Sequence, residues 1–354
     1  MHTNTALDYL PGPVRVVYEP TIHCNLRCPM CDRTHKTEYE KHKCGQLSTD
    51  ITLRFFNDIA SSGASHILLI GGGEPLMHPN IQTYIQCIKD LNLHLHLWTN
   101  GTLITEKNAG FIAQHCDMIT VSLDSPHEVI NDQLRGLQGA TKRSINGLQL
   151  LREANPNLYL RIHSVLSARN IPHLNDFLPL METLGINEVG GAIVNPFSFV
   201  PHDFLIPEAQ RTDYDQKVNE FCNELKKRKI ALAGCYEAIS KRIINEITKS
   251  LPTQNKPVTP ITCLGLWSQA TVRPNGDVSV CCFSYKPILG NLHEMSFNEI
   301  WHSTRAEQLR SFVCKGEYMD DPCKGCDLGD PVFTRLLKNG GDMTQFHHMI
   351  NTSR

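Results

Sequence analysis

Residues 14–31, VRVVYEPTIHCNLRCPMC, join an apolar run to a cysteine loop, and the reading of this stretch decides the fold. Residues 14–18 (VRVVY) have the valine-rich character of a buried strand. Cys24, Cys28 and Cys31 follow at the spacing C-x3-C-x2-C. Three thiolates within eight residues face one point only if the backbone wraps around it. Structural zinc is usually closed by four ligands, and no fourth Cys or His stands here at conventional spacing. His23 is adjacent, but its side chain is expected to point away from its neighbour's. A cubane cluster has four irons, so three cysteines leave one iron open to an exogenous ligand. On the residues alone, a zinc loop or thiols that merely pack remain the alternatives.

Outward from this loop, strands are expected at 65–70, 93–98, 118–123, 158–166 and 188–194. Helices are expected between them at 49–61, 80–91, 105–115, 141–153 and 171–184. Alternation of this kind predicts βαβ units around a parallel sheet: an α/β chain whose strands form a partial (β/α)6 barrel. Sites in such folds are built at the carboxyl ends of the strands. The cysteine loop falls there, and so do Gly72-Gly73-Glu74-Pro75, Thr99-Asn100-Gly101 and Ser122-Leu123-Asp124, with Arg135-Gly136 beyond. Each of the polar ends is ordinary alone; their shared pole is the argument for one site. On the fifth strand Arg161, His163 and Ser164 either line the barrel or form a solvent-facing alternation.

Pro196, Pro201 and Pro207 interrupt the pattern, and helices are expected near 208–229 and 235–249. Residues 260–328 carry a second cysteine group. Residues 269–271 and 278–282 are expected to pair across an Asn275-Gly276 turn, with a helix near 296–312. That pairing brings Cys263 near Cys281, and Cys323-x2-Cys326 adds two more thiols. Four such ligands close either a zinc site or a fully ligated 4Fe–4S cluster. Cys282 points to the other face of its strand, and Cys314 is likewise expected not to be a ligand. Cys44, Cys87, Cys116, Cys222 and Cys235 are scattered, and such thiols are usually small buried hydrophobes. The expected units are a core barrel at 14–195, a helical linker at 196–259, a cluster-binding extension at 260–328 and a tail at 329–354.

Composition limits the function classes. The 354 residues carry a net charge of −2, with 41% hydrophobic and 20% charged residues. Neither wholesale disorder nor a global attraction to nucleic acid fits this balance. No apolar stretch approaches the ~20 residues of a membrane span, and the N-terminus shows no export signal. A cytoplasmic protein without nucleic-acid or membrane partners is expected. Its 14 cysteines then point to metal or redox ligation rather than disulfides.

The C-x3-C-x2-C loop after a first strand resembles that of the radical S-adenosylmethionine (radical SAM) enzymes. The likeness extends to Gly72-Gly73-Glu74-Pro75, which resembles the motif contacting the amino group of S-adenosylmethionine. It implies a 4Fe–4S cluster on Cys24, Cys28 and Cys31, ribose contacts from Asn100 and Ser122, and a carboxylate contact from Arg135. Met30 stands where the family often has an aromatic residue, and could still cover the adenine. The second cysteine group resembles the SPASM/twitch extension. The further C-x5-C-x3-C series of full SPASM domains is absent, so a twitch-like hairpin and helix with one auxiliary 4Fe–4S cluster on Cys263, Cys281, Cys323 and Cys326 is expected. The resemblance further implies a 5′-deoxyadenosyl radical, and an electron donor such as flavodoxin or ferredoxin. Within it, the expected substrate is a small polar, sugar- or cyclitol-like metabolite, and the reaction an oxidation or rearrangement. The alternatives are a peptide-modifying maturase, a redox-neutral epimerase or dehydratase, and a non-catalytic zinc or cluster scaffold. No catalytic acid, base or hydrogen-atom donor is identifiable from the sequence.

Overall fold

The structure, a computed structural model, describes residues 12–35, 46–194, 199–234, 266, 269–280 and 288–314. Strand and helix alternate through the first part. Strand β1 (Arg15–Tyr18) leads through the cysteine loop to a short helix α1 (Asp32–His35). Helix α2 (Thr49–Ser61), β2 (His66–Leu69), α3 (Ile81–Asp90), β3 (His94–Thr99), α4 (Glu106–His115) and β4 (Met118–Ser122) follow. Next come α5 (Glu128–Arg135), α6 (Ala140–Ala154), β5 (Tyr159–Leu166), α7 (Leu178–Leu184) and β6 (Glu188–Ile193). Beyond them lie α8 (Arg211–Lys227), β7 (Ala231–Gly234), β8 (Gln269–Val272), β9 (Asp277–Ser279), β10 (Ile288–Asn291), α9 (Phe297–Trp301) and α10 (Thr304–Cys314).

Among the described residues all ten strands form one sheet, in the order β10-β9-β8-β1-β2-β3-β4-β5-β6-β7. Strands β1 to β7 run parallel, each bonded to the next in sequence. This is the expected α/β partial barrel, with strands added at both sides. The alternation of side chains along each strand divides its residues between two faces. Val16, Tyr18, Ile67, Leu69, Leu95, Leu97, Ile119, Val121, Leu160 and Ile162 face the helices and belong to one continuous apolar core. The opposite positions, His96, Trp98, Thr120, Ser122, Arg161 and His163, make up a polar inner face.

Local chemistry accounts for most element boundaries. Ser48 caps α2, its hydroxyl accepting from the Ile51 amide at 3.3 Å. Ser296 and Glu299 form a capping box at α9. The β8–β9 hairpin turns at Gly276, whose φ of +86° suits a residue without a Cβ.

Three local expectations are revised. The stretch 171–184 is not one α-helix: Ile171–Phe177 is a 3-10 turn, broken at His173, before α7 begins. The helix expected at 296–312 is divided into α9 and α10. The stretch expected as a helical linker carries α8 and also β7, which extends the sheet beyond β6. Its apolar Ile230 and Leu232 sit beside Lys229, in the left-handed region at φ 58°, and that turn returns the chain to the sheet edge. Helix α5 has too short an apolar repeat to be anticipated. The second helix expected near 235–249 lies outside the described residues.

Candidate active site

The cysteine loop leaves β1 at the carboxyl end and folds back on itself. The Cys31 amide donates to the Cys28 carbonyl at 3.0 Å, and the Leu26 amide donates to Cys24 Sγ at 3.4 Å. Cys24, Cys28 and Cys31 are free thiols, each half-buried. Among the described residues, one group of His, Cys, Asp or Glu side chains gathers three ligand atoms within 4.8 Å, and it is not this loop. An all-thiol, half-buried set of three fits an iron–sulfur cluster with one iron left open. Burial pushes the Cys28 thiol up to about 11, with Arg135 opposing, so ligation there must release a proton.

Neighbouring strand ends hold this loop in place. Gly73 lets the second strand end approach it: a Cβ there would lie 2.1 Å from the His23 carbonyl oxygen. The Glu74 amide donates to that same carbonyl at 2.7 Å. From the third strand end, Asn100 Nδ2 donates to Asn25 Oδ1 at 2.9 Å and lies 4.0 Å from Cys24 Sγ. Asn25 donates in turn to Thr102 Oγ1 at 2.8 Å. On the far side the Cys28 thiol donates to the Arg135 carbonyl at 3.4 Å. Gly136 follows with φ +65°, and its missing Cβ would meet the Arg27 carbonyl oxygen at 2.1 Å.

The structure brings Met30, Gly72, Gly73, Glu74, Asn100, Ser122 and Arg135 to the pole of the barrel that carries the three cysteines, though several of their side chains are already engaged. Glu74 is fully buried and accepts from Thr99 Oγ1 at 2.6 Å, the Asn100 amide at 2.7 Å and the Leu76 amide at 3.2 Å. Its carboxylate thus ties the second strand end to the third. Burial raises its pKa to about 7 against these donors. Ser122 Oγ accepts from Trp98 Nε1 at 3.0 Å. Arg135 donates to Asp124 Oδ1 at 2.7 Å inside the protein. Asp124 also accepts from the Val165 amide at 2.7 Å. Asp124 Oδ2 and Arg135 Nε are buried with no hydrogen-bond partner within the protein, which leaves polar capacity at this pole for a ligand.

Below the pole, on the inner face, Trp98 and His163 meet edge to face, ring centroids 4.6 Å apart. Glycine makes room for this pair: a Cβ on Gly190 would lie 2.8 Å from His163 Nδ1. Burial, with Arg135 and Arg161 nearby, lowers the His163 pKa to about 3, so the ring is neutral near pH 7. His96 bonds Thr120 Oγ1 at 2.7 Å, and Arg161 pairs with Glu188 at 2.5 Å. The floor of the site is thus polar and aromatic, which favours the barrel-lining reading of Arg161 and His163. Ser164 instead turns away and donates to the Leu123 carbonyl at 2.6 Å. Met30 packs in a small apolar cluster with Leu134, Val194, Val200 and Phe204, so the segment after β6 covers one side of the mouth.

Trp98, Thr99, Asn25 and Asp124 organise this pole without having been marked as ligand contacts. Trp98 was accessible from its alternation with Leu97, but nothing in the sequence marked Asn25. Cys263, Cys281, Cys282, Cys323 and Cys326 lie outside the described residues, as does the side chain of Cys314.

The radical SAM superfamily profile matches residues 18–175, and an iron–sulfur cluster-binding domain profile, SPASM, matches residues 263–327. An AdoMet-dependent heme synthase of Methanosarcina barkeri is 28% identical, covering 89% of this chain and 91% of the relative. A PqqA peptide cyclase of Methylorubrum extorquens is 24% identical over 91% of this chain and 79% of its own. In fold, the chain is similar to Streptococcus suis SuiB bound to S-adenosylmethionine, with TM-score 0.66 and 16% identity over 90% of this chain and 71% of that one. From the cysteine loop, the strand-end site and both profile matches together, the chain belongs to the radical SAM superfamily, in its SPASM-containing subgroup.

Proposed function

We propose that Cys24, Cys28 and Cys31 hold the 4Fe–4S cluster at which this enzyme uses S-adenosylmethionine, and that the enzyme abstracts hydrogen from a substrate seated over Trp98 and His163 and oxidises it. One observation carries this reading. Hydrogen bonds or glycine contacts tie the three-thiol loop to the ends of β2 and β3 and to Arg135-Gly136 at the end of α5. When bound, the cluster and S-adenosylmethionine supply an electron and a 5′-deoxyadenosyl radical. The protein's own residues bind and orient. The glycine turn at Gly72 and Gly73 gives backbone access to the ligand's amino group, since the Glu74 carboxylate is occupied by Thr99 and Asn100. Asn100 and Ser122 stand at successive strand ends for the ribose, and Asp124 Oδ2 and Arg135 Nε keep hydrogen-bonding capacity for the remaining polar groups. The segment carrying Val200 and Phe204 helps exclude water from the radical.

The auxiliary cluster is assigned to Cys263, Cys281, Cys323 and Cys326, all inside the SPASM match. It would accept the electron left on the substrate, making the net reaction a two-electron oxidation.

The sugar- or cyclitol-like substrate expected from the sequence finds no support among the relatives, which are named as heme synthases and peptide cyclases. We favour a tetrapyrrole substrate, because the heme synthase match spans about nine-tenths of both chains. A peptide is the second reading, favoured by the cyclase match over 91% of this chain. Anaerobic reconstitution followed by dithionite reduction tests the core. About eight irons for two cubanes and formation of 5′-deoxyadenosine are expected, with the product lost in Cys24→Ala. Full product formation by Cys24→Ala would refute the core assignment. Carboxylate-bearing tetrapyrroles should stimulate 5′-deoxyadenosine formation and lose mass; stimulation by peptides alone would transfer the assignment to the second reading.

A further inference from the structure

Outside the cysteine loop, His127, His173 and Asp176 converge on the surface, in the connections that follow β4 and β5. His127 precedes α5, while His173 and Asp176 lie in the 3-10 turn after β5. His127 Nε2 is 2.7 Å from Asp176 Oδ2, and His173 Nδ1 is 3.4 Å from the same oxygen. One ligand atom from each residue lies within 4.8 Å of the other two, the one such group of three among the described residues. The two rings stand nearly perpendicular, at 78° with centroids 5.3 Å apart, so their nitrogens approach a common point from different directions. The side chains are 43–49% exposed, open to a hydrated ion from solvent. Bond lengths of about 2.0–2.1 Å to zinc put its ligand atoms roughly 3–3.4 Å apart. The observed spacings therefore need only small side-chain shifts.

We propose that His127, His173 and Asp176 form a divalent transition-metal site, with zinc as the fitting ion. Two imidazoles and one carboxylate suit a borderline ion, whereas calcium and magnesium prefer all-oxygen sets. Three protein ligands leave one position for water. The site would pin the turn before α5 to the turn after β5. Arg135, at the other end of α5, gives its carbonyl to Cys28, so the ion would brace the element that flanks the cysteine loop.

The test uses the full chain with its clusters reconstituted, dialysed to equilibrium against buffered micromolar free zinc. Zinc and iron are measured in the same samples. One equivalent of zinc is expected to be present in the wild type and missing from His173→Gln and from Asp176→Asn, with iron unchanged. Each substitution should weaken that zinc by about tenfold or more, as losing even an outer partner of a ligand does. Equal zinc uptake by the wild type and both variants would overturn the proposal. So would no uptake by an iron-replete wild type, which would leave the triple as a surface His–Asp ion pair. The readout is independent of S-adenosylmethionine cleavage, so it stands or falls separately from the proposed function.

Discussion

Glu74 shows how one side chain can tie two strand ends together. It is buried, and three donors from Leu76, Thr99 and Asn100 converge on it. Burial raises its pKa from the ordinary 4.5 to about 7. For a carboxyl raised in this way, the folded state binds the extra proton between those two values. The stability it contributes is complete below pH 4.5 and is lost as pH rises towards 7. In Glu74→Gln this fall should disappear, so urea midpoints at pH 5.5 and 8 should differ less than in the wild type. An undiminished difference would assign the fall to other groups. Gly73 and Gly136 make the complementary case. In Gly73→Ala or Gly136→Ala the new methyl would meet loop backbone at 2.1 Å, so the cysteine loop must move. Reconstituted iron should fall by about four per chain, one cubane, with 5′-deoxyadenosine formation lost alongside it. Retention of both would show that the loop yields without cost.

Among the elements, α2 and α4 offer clean measurements away from the chemistry. Ser48 caps α2, which buries Phe55, Phe56 and Ile59 against Tyr18 and the sheet. Ser48→Ala should cost about 1 kcal/mol of unfolding free energy, with iron content unchanged. Gly110 lies inside α4, and a Cβ there meets nothing within 4 Å. Gly110→Ala should therefore stabilise by about 0.5–1 kcal/mol. Chemical denaturation of the two variants side by side checks both signs. A loss in Gly110→Ala would mean that α4 frays or bends at this position in solution.

The molecule as a whole is joined by β8. This strand pairs in parallel with β1, Val16 opposite Ala270 and Tyr18 opposite Val272, and continues through β9 to β10. The extension is thus part of the same sheet as the core. Its α9 packs Phe297 against Phe55, and its Arg273 reaches Glu19 at 3.5 Å. Removing residues 263–354 would strip β1 of one partner and expose its edge. The shortened chain is expected to aggregate, as measured by the soluble fraction on expression. Replacing Cys263, Cys281, Cys323 and Cys326 together by Ala should spare the sheet and remove only about four irons, one cubane. Soluble expression of the truncated chain at the wild-type level would show that the core barrel stands alone.

Much of this was legible in the sequence because it is local. The alternation of apolar residues placed β1 to β6, Asn275-Gly276 marked the hairpin, and the spacing of Cys24, Cys28 and Cys31 marked the site. Each of these depends on neighbours within a few residues, where side-chain periodicity, glycine conformation or thiol spacing acts directly. Tertiary structure alone decided which edges meet and which polar groups neutralise one another. Four residues from Ala231 join β6 as β7, and β8 closes on β1 across some 250 residues of chain. Glu74 turns to Thr99, and Arg135 to Asp124. Those partners are distant in the chain and meet only because burying one shared apolar face sets the register of the whole sheet. A carboxylate or guanidinium in that interior must then find its partner wherever the register has put it.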